Sequence, residues 1–391
     1  MPHANKQMIS FFLTTKCNLV CTYCYNEDDR KALQMKGEEI SLPLEIAKAG
    51  INMYFDKDNP QNFNPTSSRH IRFYGPGEPS CEFNLMRDIF NYARLVGGDK
   101  VTAEIQTNGV FHEDIREWCL DNLNNIWMSF DGLPECHNKQ RPLNPFYKEN
   151  FGNRESAQIV EENTKYLIGN KGNRPLMVGA RVTITNDNSR KQCEMVDYFH
   201  SLGVRYVWTN PIFPSVGKIP FKDDEKKQAE YEFDMEAYVE HYVRAYEYAK
   251  SKGMQWGSFL IINFDGECNY HCRTCTPVPH ITPDGYLTAC DLVTIGKEAH
   301  HMDIFVYGKW DADTNKFVIN DDKVAALQNR RVENMPHCQD CLAKNHCAGY
   351  CLGEVLNETG CLYGRKAMAC YGVKSLFKKL GNLPKFDYFH P

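Results

Sequence analysis

Along the first 210 residues the apolar positions switch repeatedly between a period of two and a period of about 3.6. Short β-rich runs predict strands at Ile9–Thr14, His70–Tyr74, Val101–Thr107, Ile126–Phe130, Val178–Thr183 and Tyr206–Thr209. Helical spacing fills the gaps, at Leu42–Phe55, Leu85–Val96, Glu113–Leu123, Ala157–Leu167 and Lys191–Leu202. Alternating strands and helices imply a parallel sheet with its helices outside. Six such units fall short of the eight that close a barrel. The fold expected is α/β, a partial (β/α)6 TIM barrel with its site at the C-terminal ends of the strands.

A long helix is predicted from about Asp223 to Lys252, where Tyr231, Met235, Tyr238, Tyr242, Ala245 and Ala249 recur at helical spacing and Gly253 follows the end. That stripe reads as a core-facing surface bridging two domains rather than a cofactor box. From about Gly266 the periodicity gives way to cysteine-rich loops and one hairpin, Ile281–Leu292, turning at Asp284-Gly285. The expected organisation is a barrel over residues 1–222, a bridging helix and strand over 223–262, and a small cysteine-rich domain with the hairpin and a C-terminal helix over 263–391. No internal repeat or low-complexity segment is evident.

Composition narrows the chemistry. The 391 residues carry 45 basic and 50 acidic side chains, a formal charge of −5, which is not the basic footprint of a nucleic-acid binder. The apolar run Ile9–Leu13 is too short for a signal segment or a membrane span, so a cytoplasmic location with no membrane partner is expected. Of seventeen cysteines, three fall within residues 17–24 and ten between Cys268 and Cys370. In a reducing compartment such clustering points to metal binding rather than disulfides. Cys119 shares a helical stripe with Ile115 and Trp118 and reads as core.

Cys17-x3-Cys21-x2-Cys24 follows the first predicted strand. Three thiolates in one loop can hold three irons of a cubane and leave the fourth open for chemistry. A zinc knuckle would want a fourth ligand nearby, and Tyr25-Asn26-Glu27 offers no Cys or His. The spacing, with aromatic Tyr23 before the last cysteine, resembles the signature of the radical S-adenosylmethionine (SAM) superfamily. Gly75-Pro76-Gly77-Glu78-Pro79 resembles the family's G-x-G-E-P loop, whose backbone receives the SAM amino group, although Pro76 brings no N–H. Asn108 ends the third strand, and Ser129-x-Asp131-Gly132, with His137 and Arg141, ends the fourth. This run resembles that of SPASM-type radical SAM enzymes. The resemblance implies a SAM site of Tyr23, Gly75, Gly77, Glu78, Pro79, Asn108, Ser129, Asp131, Arg141 and Arg181, with Asn186 a weaker candidate. Capping a turn is the other role open to the serine and the asparagines.

The C-terminal cysteines follow the order Cys275-x9-Gly285-x4-Cys290, then Cys338-x2-Cys341-x5-Cys347-x3-Cys351, then Cys361 and Cys370. This layout resembles the SPASM domain and implies two auxiliary 4Fe–4S clusters, three clusters in all. Carried over by position, the first would use Cys275, Cys290 and Cys351 with either Cys268 or Cys272. The second would use Cys338, Cys341, Cys347 and Cys370, with Cys361 as the less well-spaced alternative. Structural zinc is what the same thiolates would otherwise hold. Asp291 follows Cys290. In anaerobic sulfatase-maturating enzymes, which the chain resembles in length and layout, the matching aspartate is a general base; a hairpin-end Asp accepting backbone hydrogen bonds is the alternative.

The resemblance implies an oxidoreductase that makes a 5′-deoxyadenosyl radical and modifies a ribosomally made peptide or protein by cross-linking, oxidation or rearrangement. Formylglycine formation on a sulfatase and small-molecule dehydrogenation are the alternatives. A non-catalytic iron–sulfur carrier would have no use for three-cysteine ligation. An electron donor such as flavodoxin or ferredoxin is implied. The first strand begins by residue 9, so the leader-recognition domain of many peptide-modifying members is expected to be absent. The peptide would then bind directly, by strand addition at a sheet edge, or through a separate recognition protein. Trp208–Phe221 and the Tyr-lined helix are candidate groove walls.

Overall fold

The computed structural model describes residues 8–26, 38–56, 58, 68–212 and 233–385. The first half runs β1 (Ile9–Phe12), α1 (Leu44–Phe55), β2 (His70–Tyr74), α2 (Phe83–Gly97), β3 (Thr102–Thr107), α3 (Glu113–Asn122), β4 (Asn125–Ser129), α4 (Pro134–Gln140), α5 (Ser156–Asn170), β5 (Met177–Ile184), α6 (Gln192–Ser201) and β6 (Tyr206–Pro211). Each strand pairs in parallel with the next, as at Ile9↔Ile71, Phe73↔Ile105 and Ser129↔Arg181. Strands covered on both faces read as near-continuous apolar runs, and all four residues of β1 are buried. The helices turn their apolar stripes to the sheet; α2 buries Met86, Ile89, Phe90 and Ala93 at helical spacing.

The second half lengthens that sheet at both ends. After α7 (Met235–Ser251), strand β7 (Gln255–Ser258) joins β6 in parallel. Asp234 caps α7 by accepting from the Ala237 N–H at 2.9 Å, and the Tyr242 hydroxyl donates to the Trp256 carbonyl of β7 at 2.7 Å. Residues 223–232 of the expected long helix lie outside the described residues. Strand β8 (His280–Ile281) pairs in parallel with β1, and β9 (Tyr286–Thr288), β10 (Val306–Asp311) and β11 (Lys316–Ile319) follow antiparallel. The sheet order is β11-β10-β9-β8-β1-β2-β3-β4-β5-β6-β7.

The cysteine-rich part is therefore joined to the barrel through a shared sheet, and its first hairpin sits against the β1 edge. The strands of that hairpin are shorter than expected, and Gly285 takes the left-handed φ of 82° that its turn needs. The β10–β11 hairpin was not expected. Its turn depends on Asn315 at φ 51°, whose side chain accepts from Trp310 Nε1 at 3.1 Å. Helices α8 (Asp321–Gln328), α9 (Leu352–Thr359) and α10 (Ala367–Leu380) complete the described chain. Among the described residues no helix is long and apolar enough to cross a membrane.

Candidate active site

The loop after β1 is fixed from three sides. Asn18 donates to the Val110 carbonyl at 2.7 Å and accepts from Asn108 at 2.7 Å. Backbone N–H groups of Val20 and Thr22 reach the carbonyls of Pro142 and Gln140. Tyr23 donates to Asp131 Oδ2 at 2.5 Å, and the Arg141 guanidinium both bonds that oxygen at 2.9 Å and lies over the Tyr23 ring. The other Asp131 oxygen accepts from the Thr183 N–H at 2.9 Å, so this fully buried carboxylate ties the cysteine loop to β4 and β5. Cys17, Cys21 and Cys24 are left facing one cavity of about 640 Å³.

The G-x-G-E-P loop packs directly on the cysteine loop. A Cβ on Gly77 would stand 2.0 Å from the Lys16 carbonyl oxygen, so glycine permits this close approach. Glu78 turns its carboxylate onto the Ser80 N–H, the Thr107 hydroxyl and the Asn108 N–H, at 3.0, 2.6 and 2.7 Å. Burial raises its pKa while those three donors oppose the rise. Glu78 and Asp131 both hold neighbouring loops, Glu78 through two backbone N–H groups and a hydroxyl and Asp131 through Tyr23, Arg141 and the Thr183 N–H. The same cavity is lined by Tyr23, Gly75, Gly77, Glu78, Asn108, Ser129, Arg141 and Arg181, whereas Pro79 and Asp131 are not on its wall. Asn186 accepts from the Asp234 N–H at 2.9 Å and caps the entry to α7. Trp208 packs in the core with Trp127, Met177 and Ile262, and Tyr238 and Tyr242 are buried, so none of these is a groove wall. Residues 213–221 lie outside the described residues.

These residues fit the group the motifs imply. Three thiols converge on a chamber of small-molecule size. Arg181, bonded to the neutral Gln106 amide at 2.5 Å, presents a guanidinium suited to a carboxylate. Burial, opposed by Arg141, pushes the Cys21 thiol up to about 12. A metal held by that thiol would have to displace its proton.

The cavity continues to a second group of cysteines. Cys268, Cys272, Cys290 and Cys351 line it, and Cys275 is buried behind them. Cys338, Cys341, Cys347 and Cys370 surround a separate hollow with Lys344, Arg365, Lys366 and Lys374, whereas Cys361 is exposed and outside it. Among the described residues no three His, Cys, Asp or Glu side chains converge on a single ion.

Asp291 stands on the cavity wall with its side chain 34% exposed. Arg72 holds both its oxygens, Nη1 to Oδ2 at 2.9 Å and Nη2 to Oδ1, and His280 Nε2 lies 3.4 Å from Oδ1. Arg72 is 1% exposed, donates from Nε to Ser10 and lies over the Tyr74 ring. Tyr25 joins the group through the Tyr74 hydroxyl and the Asp291 carbonyl. Burial alone would raise the Asp291 pKa, but Arg72 and then His280 outweigh it and hold it well below the usual carboxylate range. The expectation of a hairpin-end Asp bonded to backbone is not met; its partners are side chains. Sequence reasoning missed Arg72, His280, Tyr25 and Tyr74. The available signal was a charge inside the apolar strand His70–Tyr74.

No protein-family model matches the chain, and no curated protein matches it. Solved structures do match over nearly its whole length. What they share with this chain is the fold. In particular the chain is similar to anSMEcpe with bound AdoMet, at TM-score 0.70 and 16% identity over 95% of this chain and 96% of that one. It also resembles anSMEcpe with bound AdoMet and Cp18Cys peptide, at TM-score 0.68 and 15% identity over 95% and 96%. A third match is Streptococcus suis SuiB bound to precursor peptide SuiA, at TM-score 0.60 and 14% identity over 93% and 75%.

Proposed function

We propose that this chain is a radical SAM/SPASM oxidoreductase that modifies a side chain of a ribosomally made peptide or protein by hydrogen abstraction. One observation carries the reading: a single cavity joins the three-cysteine loop to a second group of cysteines and to Asp291. Cys17, Cys21 and Cys24 would hold the catalytic 4Fe–4S cluster, and the C-terminal cysteines two auxiliary clusters. When bound, cluster and SAM supply a radical able to take hydrogen from an unactivated C–H bond, and the auxiliary clusters supply electron storage.

The chain's own residues position and protect that chemistry. Glu78 and Asp131 hold the loops around the thiols; Arg181 and Ser129, neighbours on β5 and β4, face the cavity where a ligand carboxylate would bind. Asp291 is ionised and can accept a proton from the substrate side chain, though Arg72 weakens it as a base. An external flavodoxin or ferredoxin would deliver electrons, and a reducing cytoplasm suits thiolate-held clusters. Incubating enzyme, SAM and reductant anaerobically with candidate peptides and reading peptide masses tests the proposal. A mass change dependent on SAM is expected; peptides left unchanged while a small alcohol is oxidised would favour a dehydrogenase.

Sulfatase maturation is the second reading, favoured by the likeness to anSMEcpe over 96% of that chain and by the carboxylate beside Cys290. A hydrazide probe separates the two. Labelling of an aldehyde product indicates formylglycine, and an unlabelled modified peptide indicates another linkage.

A further inference from the structure

Five thiols gather where a four-iron cubane has room for four ligands. Family spacing favours Cys268 as the partner of Cys275, Cys290 and Cys351. The geometry favours a different residue. At the other two cysteine groups a C-x2-C pair lies on a tight turn, the fourth N–H bonding the first carbonyl: Cys24 to Cys21 at 3.3 Å, Cys341 to Cys338 at 3.1 Å. Cys275 to Cys272 makes the same turn at 3.2 Å. Such a turn sends two thiols to one side, so Cys272 and Cys275 have the arrangement that the two other groups use.

The rest of the group is disposed around Cys272. Its sulfur lies 3.3 Å from the buried Thr274 hydroxyl, which also bonds the Cys290 thiol. Cys268 makes no such turn; its N–H is held instead by the Asn345 carbonyl at 2.8 Å. The segment Cys268-Asn-x2-Cys272-x2-Cys275 repeats the pattern Cys17-Asn-x2-Cys21-x2-Cys24, but only its second half repeats the geometry. Asn18 is buried and bonded to Val110 and Asn108, which turns the first loop inward, whereas Asn269 is exposed.

We propose that Cys272, Cys275, Cys290 and Cys351 ligate the first auxiliary cluster, leaving Cys268 a free thiol on the wall of the cavity. The assignment rests on the functional reading above. Its test is anaerobic alkylation of the cluster-loaded full chain with iodoacetamide, followed by peptide mapping. Cys268 is expected to be alkylated and the other four protected until the clusters are stripped. Alkylation of Cys272 overturns the assignment, as does protection of Cys268. A second variant keeps this independent of thiol reactivity: Cys268→Ala should retain about twelve irons and the unaltered EPR spectrum of the reduced auxiliary cluster. Loss of about four irons, or a changed spectrum, overturns it. An unsubstituted chain that binds no iron would defeat the functional reading too, whereas about twelve irons with Cys272 alkylated would defeat the assignment alone.

Discussion

A methyl group at residue 77 would stand 2.0 Å from the Lys16 carbonyl oxygen and 2.8 Å from that of Thr14. Gly77→Ala must therefore push the G-x-G-E-P loop off the cysteine loop. The expected result is a drop in 5′-deoxyadenosine formation on the order of a hundredfold, read by chromatography, with iron content kept. An unchanged rate would show that this approach does not position SAM. Asp291→Asn keeps size but removes the carboxylate. Peptide modification should fall by on the order of a hundredfold or more while 5′-deoxyadenosine still forms; unchanged modification would dismiss Asp291 from the reaction. Asp291 was legible from its place after Cys290, but its partner Arg72 lies 219 residues away and no local pattern announces the pair. Motif position likewise singled out Glu78 and Asp131 without showing that both carboxylates turn onto the protein's own backbone and loops.

At the scale of elements, β1 to β6 were legible to within two residues at each end, because buried parallel strands leave continuous apolar runs. The β10–β11 hairpin was not, since β11 buries only Phe317 and its turn hinges on one asparagine. Register was also hidden: nothing local says that β8 pairs with β1. One buried pair links α9 to the chain entering α10. Lys366 Nζ lies 2.5 Å from Glu354 Oε2 and 3.2 Å from Glu358, and the Tyr350 hydroxyl donates to Glu354 at 3.0 Å. Lys366→Met strands the Glu354 charge, 5% exposed, and should cost about 3–5 kcal/mol in denaturant unfolding. Adding Glu354→Leu should recover part of that loss. A cost below about 1 kcal/mol would rank the pair with weak surface bridges.

For the whole molecule, buried histidines set a direction for acid stability. Burial pushes His137 and His280 down from 6.5 to about 3, so both are neutral in the folded chain. The unfolded chain takes up protons below pH 6.5 that the folded chain refuses, and stability is lost as pH falls from there toward 3. Glu104 acts in the same sense at lower pH. Burial would raise it, but the His70 hydrogen bond and Arg72 lower it to about 2, so its contribution is lost as pH falls from about 4.5. With His271, lowered to about 3 by burial in the same way, the three histidines together should give a slope of about 4 kcal/mol per pH unit below pH 6 in denaturant titrations. A flat profile from pH 7 to 5 would contradict their burial as neutral groups. Everything proposed for this molecule depends on Cys17, Cys21 and Cys24 holding a radical-generating cluster. The most direct test is 5′-deoxyadenosine formation after anaerobic reduction with SAM. The iron-loaded chain should form it and Cys24→Ala should not; none from an iron-loaded chain, or equal amounts from both, would contradict the claim.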